Sequence, residues 1–229
     1  MNITSDTPSQ EDIDNLPINI PNQPNIFKIA SSNVSGLCEA TKQKQIMTFI
    51  ETHKINIMGL SEMKLSSRAA EFINKHPSPY TSWWNCDDKN KDGTGVGIIM
   101  DKHTSKFVQK VSGEKDYRER LLYVDLYMKG HSKLRVIQTY IHANNIEKQQ
   151  TLILYEKILK IIDQAQQNDF KIIIMGDFNI NLIKLEQITK RGGTIPWKFS
   201  LISKLYNRNF LNTFSQFHDQ LKPTWHSGQ

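Results

Sequence analysis

Apolar residues in this chain come in short runs that alternate with amphipathic stretches, and that alternation restricts the fold more than any other feature. Six runs read as strands: Phe27–Ser31, Ile55–Leu60, Gly95–Met100, Leu121–Met128, Leu134–Tyr140 and Lys171–Met175. Three stretches carry apolar residues at helical spacing instead. Residues 41–53 place Ile46, Met47 and Ile50 together, and residues 147–166 align Leu152, Tyr155, Leu159 and Ile162. The third runs from Trp197 through Leu201 to Leu205, after the Gly192–Gly193 breaker and Pro196. Such stripes face a core and imply no cofactor. Leu122, Val124, Leu126 and Met128 alternate with other residues, the pattern of a half-buried antiparallel strand. Lys171–Met175 (KIIIM) is continuously apolar after its lysine and reads as buried on both faces. Strands from both halves, with helices between, imply an α/β chain of two packed sheets under flanking helices.

With 229 residues the chain can form one large domain and bury a core without disulfides or structural metals. No apolar run approaches the roughly 18 residues of a membrane span. The opening MNITSDTPSQ lacks the basic and apolar regions of a secretory signal. Cys38 and Cys86 match no zinc spacing and no disulfide framework, so an intracellular, reducing compartment is expected; nuclear placement stays open. Residues 1–25, with Pro8, Pro17, Pro21 and Pro24 and no periodicity, read as a disordered leader ahead of a domain over 26–229. The formal charge is +6, but residues 1–26 hold Asp6, Glu11, Asp12 and Asp14 and no Lys or Arg. The remainder therefore carries 29 basic against 19 acidic residues, a formal +10. A basic body favours anionic partners, nucleic acid first; a merely lysine-rich soluble protein shows the same balance.

Four of the runs end in residues suited to chemistry on an anion. In IIIMGDFN (172–179) a strand reaches Gly176, where the backbone turns freely, and then presents Asp177 and Asn179. A spacing of two on an extended chain aims both side chains the same way. A carboxylate and a carboxamide placed there can align a water and a phosphate oxygen, although a Gly-Asp turn followed by a loop Asn has the same sequence. In INIMGLSEMKL (55–65), Glu62 follows a strand and can ligate a hard cation such as Mg²⁺, or simply be a solvated loop acid. KIASSNVSGL (28–37) leads to Asn33, a residue that also forms turns. VIQTYIHAN (136–144) ends with Tyr140 and His142; the tyrosine is either half-buried packing or a hydroxyl donor to a phosphate oxygen. The set is more informative than its members. Polar groups converging at strand ends are how a site is built on a rigid scaffold.

The order SSNVSGL, GLSEMKL, GTGVGIIM, QTYIHAN and MGDFN resembles the endonuclease/exonuclease/phosphatase superfamily over roughly residues 26–229. The variety most resembled is the endonuclease domain of non-LTR retrotransposons, similar to apurinic/apyrimidinic endonucleases. The resemblance implies a four-layered α/β sandwich of two packed mixed β-sheets flanked by helices, and hydrolysis of phosphodiesters with Mg²⁺ or Mn²⁺. DNA is then the expected partner. Carried over by motif, Glu62 would be the principal metal ligand, with Asn33 beside the metal orienting the phosphate. Tyr140 would hydrogen-bond the scissile phosphate, Asp177 would position or deprotonate the attacking water, and Asn179 would bind a phosphate oxygen. The glycines of GTGVGIIM belong to a structural strand. Trp83, Trp84 and Trp225 fit either a DNA-contacting surface or core and rim packing.

Three positions depart from the family pattern. Ser35 stands where many apurinic-site enzymes carry an acid, and His142 stands where the tyrosine motif continues to a proline. The family also closes with an Asp-bearing strand and a Ser-Asp-His-type motif. Here KPTWHSGQ (222–229) resembles the Thr-Trp segment just before that strand, and neither His218 nor His226 replaces the expected histidine. On this reading the domain lacks its final strand or strands, and unpaired sheet edges follow. The chain is then expected to be weak or inactive, by about a hundred- to ten-thousandfold, unless a partner supplies the rest. Two other readings share these residues: a non-catalytic truncated remnant that binds nucleic acid, and a phosphatase of inositol phosphates or other small phosphoesters.

Overall fold

The computed structural model describes residues 26–73, 78–86, 95–112, 119–143 and 147–217. The expected leader, Trp225, His218 and His226 lie outside the described residues. Two four-stranded sheets stack face to face. The first contains β1 (Ile29–Asn33), β2 (Ile57–Ser61), β3 (Tyr80–Asn85) and β4 (Val96–Asp101), in the order β1-β2-β4-β3. The second contains β5 (Val108–Ser112), β6 (Leu121–Tyr127), β7 (Lys133–Tyr140) and β8 (Phe170–Asp177), in that order.

Each sheet holds one parallel pair, β1 with β2 and β7 with β8; the other neighbours are antiparallel. Parallel neighbours require a crossover, and both crossovers are helical. Helix α1 (Ala40–His53) joins β1 to β2 and ends at Lys54, which takes a left-handed conformation (φ 52°) and returns its N–H to Ile50 and Glu51. Helix α4 (Lys148–Gln167) joins β7 to β8. Short helices α2 (Ser67–Ala70), α3 (Lys102–Ser105), α5 (Leu182–Lys190), α6 (Ser200–Tyr206) and α7 (Thr213–Phe217) complete the described chain.

The core has three parts, as a four-layered sandwich requires. Ile50 of α1 packs with Met58 and Leu60 outside the first sheet. Ile57, Ile98, Val124 and Val136 fill the gap between the sheets. Ile158 and Ile162 of α4 and Leu201 of α6 cover Tyr123 and Ile137 outside the second sheet. Each fully buried Leu or Ile of this kind contributes about 1.5–3 kcal/mol. The sheets approach closely at Gly59, where an added Cβ would lie 2.0 Å from Gln138 Oε1.

Each of the six expected strands and three expected helices is present, within a few residues at the ends. Two burial expectations are corrected. Strand β6 is not half-buried: Leu121 to Leu126 are all buried. Its polar member, Asp125, is accommodated on the helix-covered face because Arg135 binds it twice, at 2.6 and 2.7 Å. Strand β8 is not buried on both faces. It lies at the edge of its sheet, Ile172 to Ile174 are only half-buried, and among the described residues only β7 pairs with it. Strands β3 and β5 match no run in the sequence reading. Among the described residues both are edge strands, where exposure lets polar residues replace the apolar alternation. Trp83 and Trp84 resolve as packing: Trp83 meets the core between the sheets and Trp84 the core under α1.

Candidate active site

The two parallel pairs end at the same edge of the sandwich. The last rung of one ladder is Asn33 opposite Ser61, and the last rung of the other is Tyr140 opposite Asp177. Four carboxyl-terminal strand ends therefore meet, and with them Asn33, Glu62, Tyr140 and Asp177. The β7–β8 rung depends on Gly176. At its φ of 132°, a Cβ would fall 1.8 Å from the Thr139 carbonyl oxygen, so no larger residue lets the strands close there.

Beyond the strands the chain stays tightly held. Val34, Gly36 and Leu37 donate their N–H groups to the carbonyls of Ser61, Glu62 and Met63 at 3.0, 2.7 and 2.8 Å, extending the β1–β2 contact into both loops. Ser35, Glu62, Lys64 and Asn179 all have positive φ, between 45° and 57°. For residues with a Cβ this conformation costs about 1–2 kcal/mol each, and the surrounding hydrogen bonds must over-determine it.

Asn33 is the hub. Its Nδ2 donates to Glu62 Oε2 and to Asp177 Oδ2, both at 2.8 Å, while its Oδ1 accepts the Ser35 N–H at 2.9 Å. One amide thus links a carboxylate of the first sheet to one of the second. The Tyr140 hydroxyl donates to Glu62 Oε2 at 3.3 Å, and Lys64 Nζ lies 3.0 Å from Glu62 Oε1. Asp177 Oδ1 accepts the Asn179 N–H at 2.9 Å. The Asn179 side chain donates to the Ile141 carbonyl at 2.7 Å, tying the end of β8 to the end of β7. All five residues singled out in the sequence are in this assembly. The motif GLSEMKL contains Lys64 without marking it, because nothing in a linear motif shows that a lysine folds back on an acid two residues earlier.

Desolvation pushes the Glu62 carboxyl up, but hydrogen bonds from Asn33, Lys64 and Tyr140 outweigh it and leave the group below its ordinary range. Burial raises the Tyr140 phenol to about 12, and the negative charge of Glu62 adds to this. The acid is kept ionised and the phenol protonated: an acceptor and a donor, side by side. Among the described residues no three His, Cys, Asp or Glu side chains cluster. Two carboxylates with an amide between them nevertheless suit a hard divalent cation such as Mg²⁺, which uses one or two carboxylates and retains water.

The sequence pattern of the Endonuclease/Exonuclease/phosphatase family matches residues 30–218. No curated protein matches the chain. Among solved structures, the AP endonuclease LMAP from Leishmania major is similar at a TM-score of 0.65 and 17% identity, over 87% of this chain and 72% of that one. The catalytic domain of APE2 from Xenopus laevis is similar at 0.56 and 13%, over 78% and 67%. The 3′ phosphatase NExo from Neisseria, bound to a product DNA hairpin, is similar at 0.51 and 19%, over 68% and 58%. The chain spans 67% and 65% of two D. rerio TDP2 structures and 48% of TDP2 from Caenorhabditis elegans. At these identities the neighbours establish the fold of two mixed sheets between helices. The family match runs through all five gathered residues, and on it the chain belongs to the endonuclease/exonuclease/phosphatase family.

Proposed function

We propose that this chain is a metal-dependent phosphodiester hydrolase acting on DNA, of the type found in the endonuclease domains of non-LTR retrotransposons. The observation that carries the reading is the convergence of Asn33, Glu62, Tyr140 and Asp177 from four strand ends in two sheets. Three further points support it. Enzymes of this family generally depend on a divalent metal. The formal charge of +10 on residues 27–229 favours a polyanion. The order of the five motifs, with GDFN last, resembles the retrotransposon variety.

Glu62 would hold the cation, Mg²⁺ or Mn²⁺, with Asn33 and Asp177 beside it. When bound, that ion supplies Lewis-acid stabilisation of charge on the phosphate and leaving oxygen. The other roles fall to the chain's own groups. Asp177, fixed by Asn33 on one oxygen and by the Asn179 N–H on the other, accepts a proton from the attacking water. Tyr140 stays protonated at neutral pH and turns its hydroxyl from Glu62 to a phosphate oxygen. Asn179 spends one amide hydrogen on Ile141 and has a second for the phosphate.

A nicking assay on supercoiled plasmid with Mg²⁺ tests this, comparing wild type with Glu62→Ala and Asp177→Ala. Each substitution is expected to lower nicking by about a hundredfold or more. A folded chain that binds DNA without cutting it would favour a non-catalytic remnant. Turnover of inositol phosphates with the plasmid left intact would make it a small-phosphoester phosphatase.

A further inference from the structure

Arg120 enters β6 without any motif to mark it, yet it lies directly behind the site. It sits one rung past the Leu121–Thr139 pair and therefore opposite Tyr140, whose N–H donates to the Arg120 carbonyl at 2.9 Å. Thr139 Oγ1 donates to the same carbonyl at 3.1 Å. The residue is only 8% exposed. Its guanidinium carbon lies 4.9 Å from the centroid of the Tyr140 ring, Nη1 reaches the Tyr140 carbonyl at 3.5 Å, and Nε has no partner among the described residues.

A buried guanidinium usually occupies a carboxylate with its fork, as Arg135 does with Asp125. Both arginines lie over aromatic rings, Arg135 over Tyr123 at 4.5 Å and Arg120 over Tyr140 at 4.9 Å, but among the described residues Arg120 forks no carboxylate and its Nε has no acceptor. The acids facing it are Glu147, just ahead of α4, and its chain neighbour Glu119. The groups facing the Tyr140 phenol are Glu62 from the end of β2, Asp177 from the end of β8, and Arg120 itself. Arg120 is thus the cation against the ring whose hydroxyl meets the principal carboxylate.

We propose that Arg120 is a positioning residue: its guanidinium, packed against the Tyr140 ring and tied to the Tyr140 backbone, fixes the ring and with it the phenol oxygen, whose proton meets Glu62 in the free site and turns to the phosphate when one is bound. The catalytic half of this statement rests on the phosphodiesterase reading; the placement of the ring does not. A phenol has only two torsions, so fixing the ring fixes the oxygen. Cation–π contact is strongest when desolvated, and lysine keeps the charge but not the plane.

The test is a set of steady-state assays on a duplex oligonucleotide with wild type, Arg120→Lys, Arg120→Met, Tyr140→Phe and the Arg120→Met/Tyr140→Phe double variant. Arg120→Met is expected to lower kcat about ten- to a hundredfold with KM within about twofold, and Arg120→Lys to recover part of the loss. The double variant is expected to match Tyr140→Phe alone, because Arg120 acts only through that hydroxyl; independent, multiplying losses would overturn the proposal. Carbon-13 NMR of labelled tyrosine rings reads the placement without turnover. Arg120→Met should change the Tyr140 ring signals, assigned by their loss in Tyr140→Phe, and leave those of Tyr155 alone. Unchanged Tyr140 signals would overturn the proposal, as would equal changes at both tyrosines, which would mark a general structural role. If wild type cuts nothing, the phosphodiesterase reading fails, and the ring signals still decide whether Arg120 holds Tyr140.

Discussion

Strand β2 has an asparagine-centred polar knot at each end, and the two differ in the number of acids they hold. Near its start, Asn56 accepts the Lys28 N–H at 2.8 Å and donates to Asp101 Oδ2 at 3.0 Å. Asp101 also accepts the Thr104 N–H at 2.8 Å and the Thr104 hydroxyl at 2.7 Å, capping α3. Past its far end, Glu62 faces Asn33, Tyr140 and Lys64 in much the same number of contacts. The difference lies in what the asparagine bridges. Asn56 ties one acid to the backbone of a neighbouring segment. Asn33 stands between two acids from two different sheets, so negative charge collects there. A knot with one acid and local donors is complete in itself; a knot with two acids and a shared donor is one that the proposed hydrolase would use to hold a divalent cation.

The largest expected effect separates the ends by function. Glu62→Gln keeps the shape and removes the charge. Nicking should fall about a hundredfold, near 2.7 kcal/mol in the barrier, a larger effect than the modest drop in urea midpoint expected from losing a carboxylate that folding favours. Asp101→Ala should do the reverse, costing about 1–2 kcal/mol of stability for a lost helix cap and leaving nicking unchanged in protein that remains folded. If Asp101→Ala lowered kcat as far as Glu62→Gln does, the division of labour between the ends of β2 would be wrong.

How much of this was legible in the sequence follows the same division. Local signals carried well. The apolar runs located β1, β2, β4, β6, β7 and β8, and the polar residues closing four of those runs are the ones that meet. What failed depended on partners distant in the chain. Nothing near Asp125 shows that Arg135 neutralises it, so β6 looked half-exposed when it is buried. Nothing within KIIIM shows that its strand ends up at a sheet edge. Strands β3 and β5 lack an apolar alternation because edges tolerate its absence. Asn56, Lys64 and Arg120 are ordinary polar residues until the pairing of strands gives each an acid or a ring to face.

The smallest expected effect concerns pH, at the closed knot. Burial pushes the Asp101 carboxyl up, but the Thr104 hydroxyl and N–H, Asn56 and the His103 N–H outweigh it, so the folded group titrates below its ordinary value. A carboxyl depressed by folding adds stability above its unfolded pKa of about 3.9 and loses it as pH falls through the folded value. Asn56→Ala removes one of those donors. Its cost, under about 1.5 kcal/mol, should therefore be largest near neutral pH and shrink as pH falls below about 4, where a protonated Asp101 no longer favours the amide as strongly. Urea unfolding of wild type and variant at matched pH values reads the difference. A gap that stays constant from neutral pH to pH 3 would mean that Asn56 acts only through the Lys28 backbone. The knot would then be two separate contacts, and the comparison with Asn33, which needs both halves of its amide, would lose its footing.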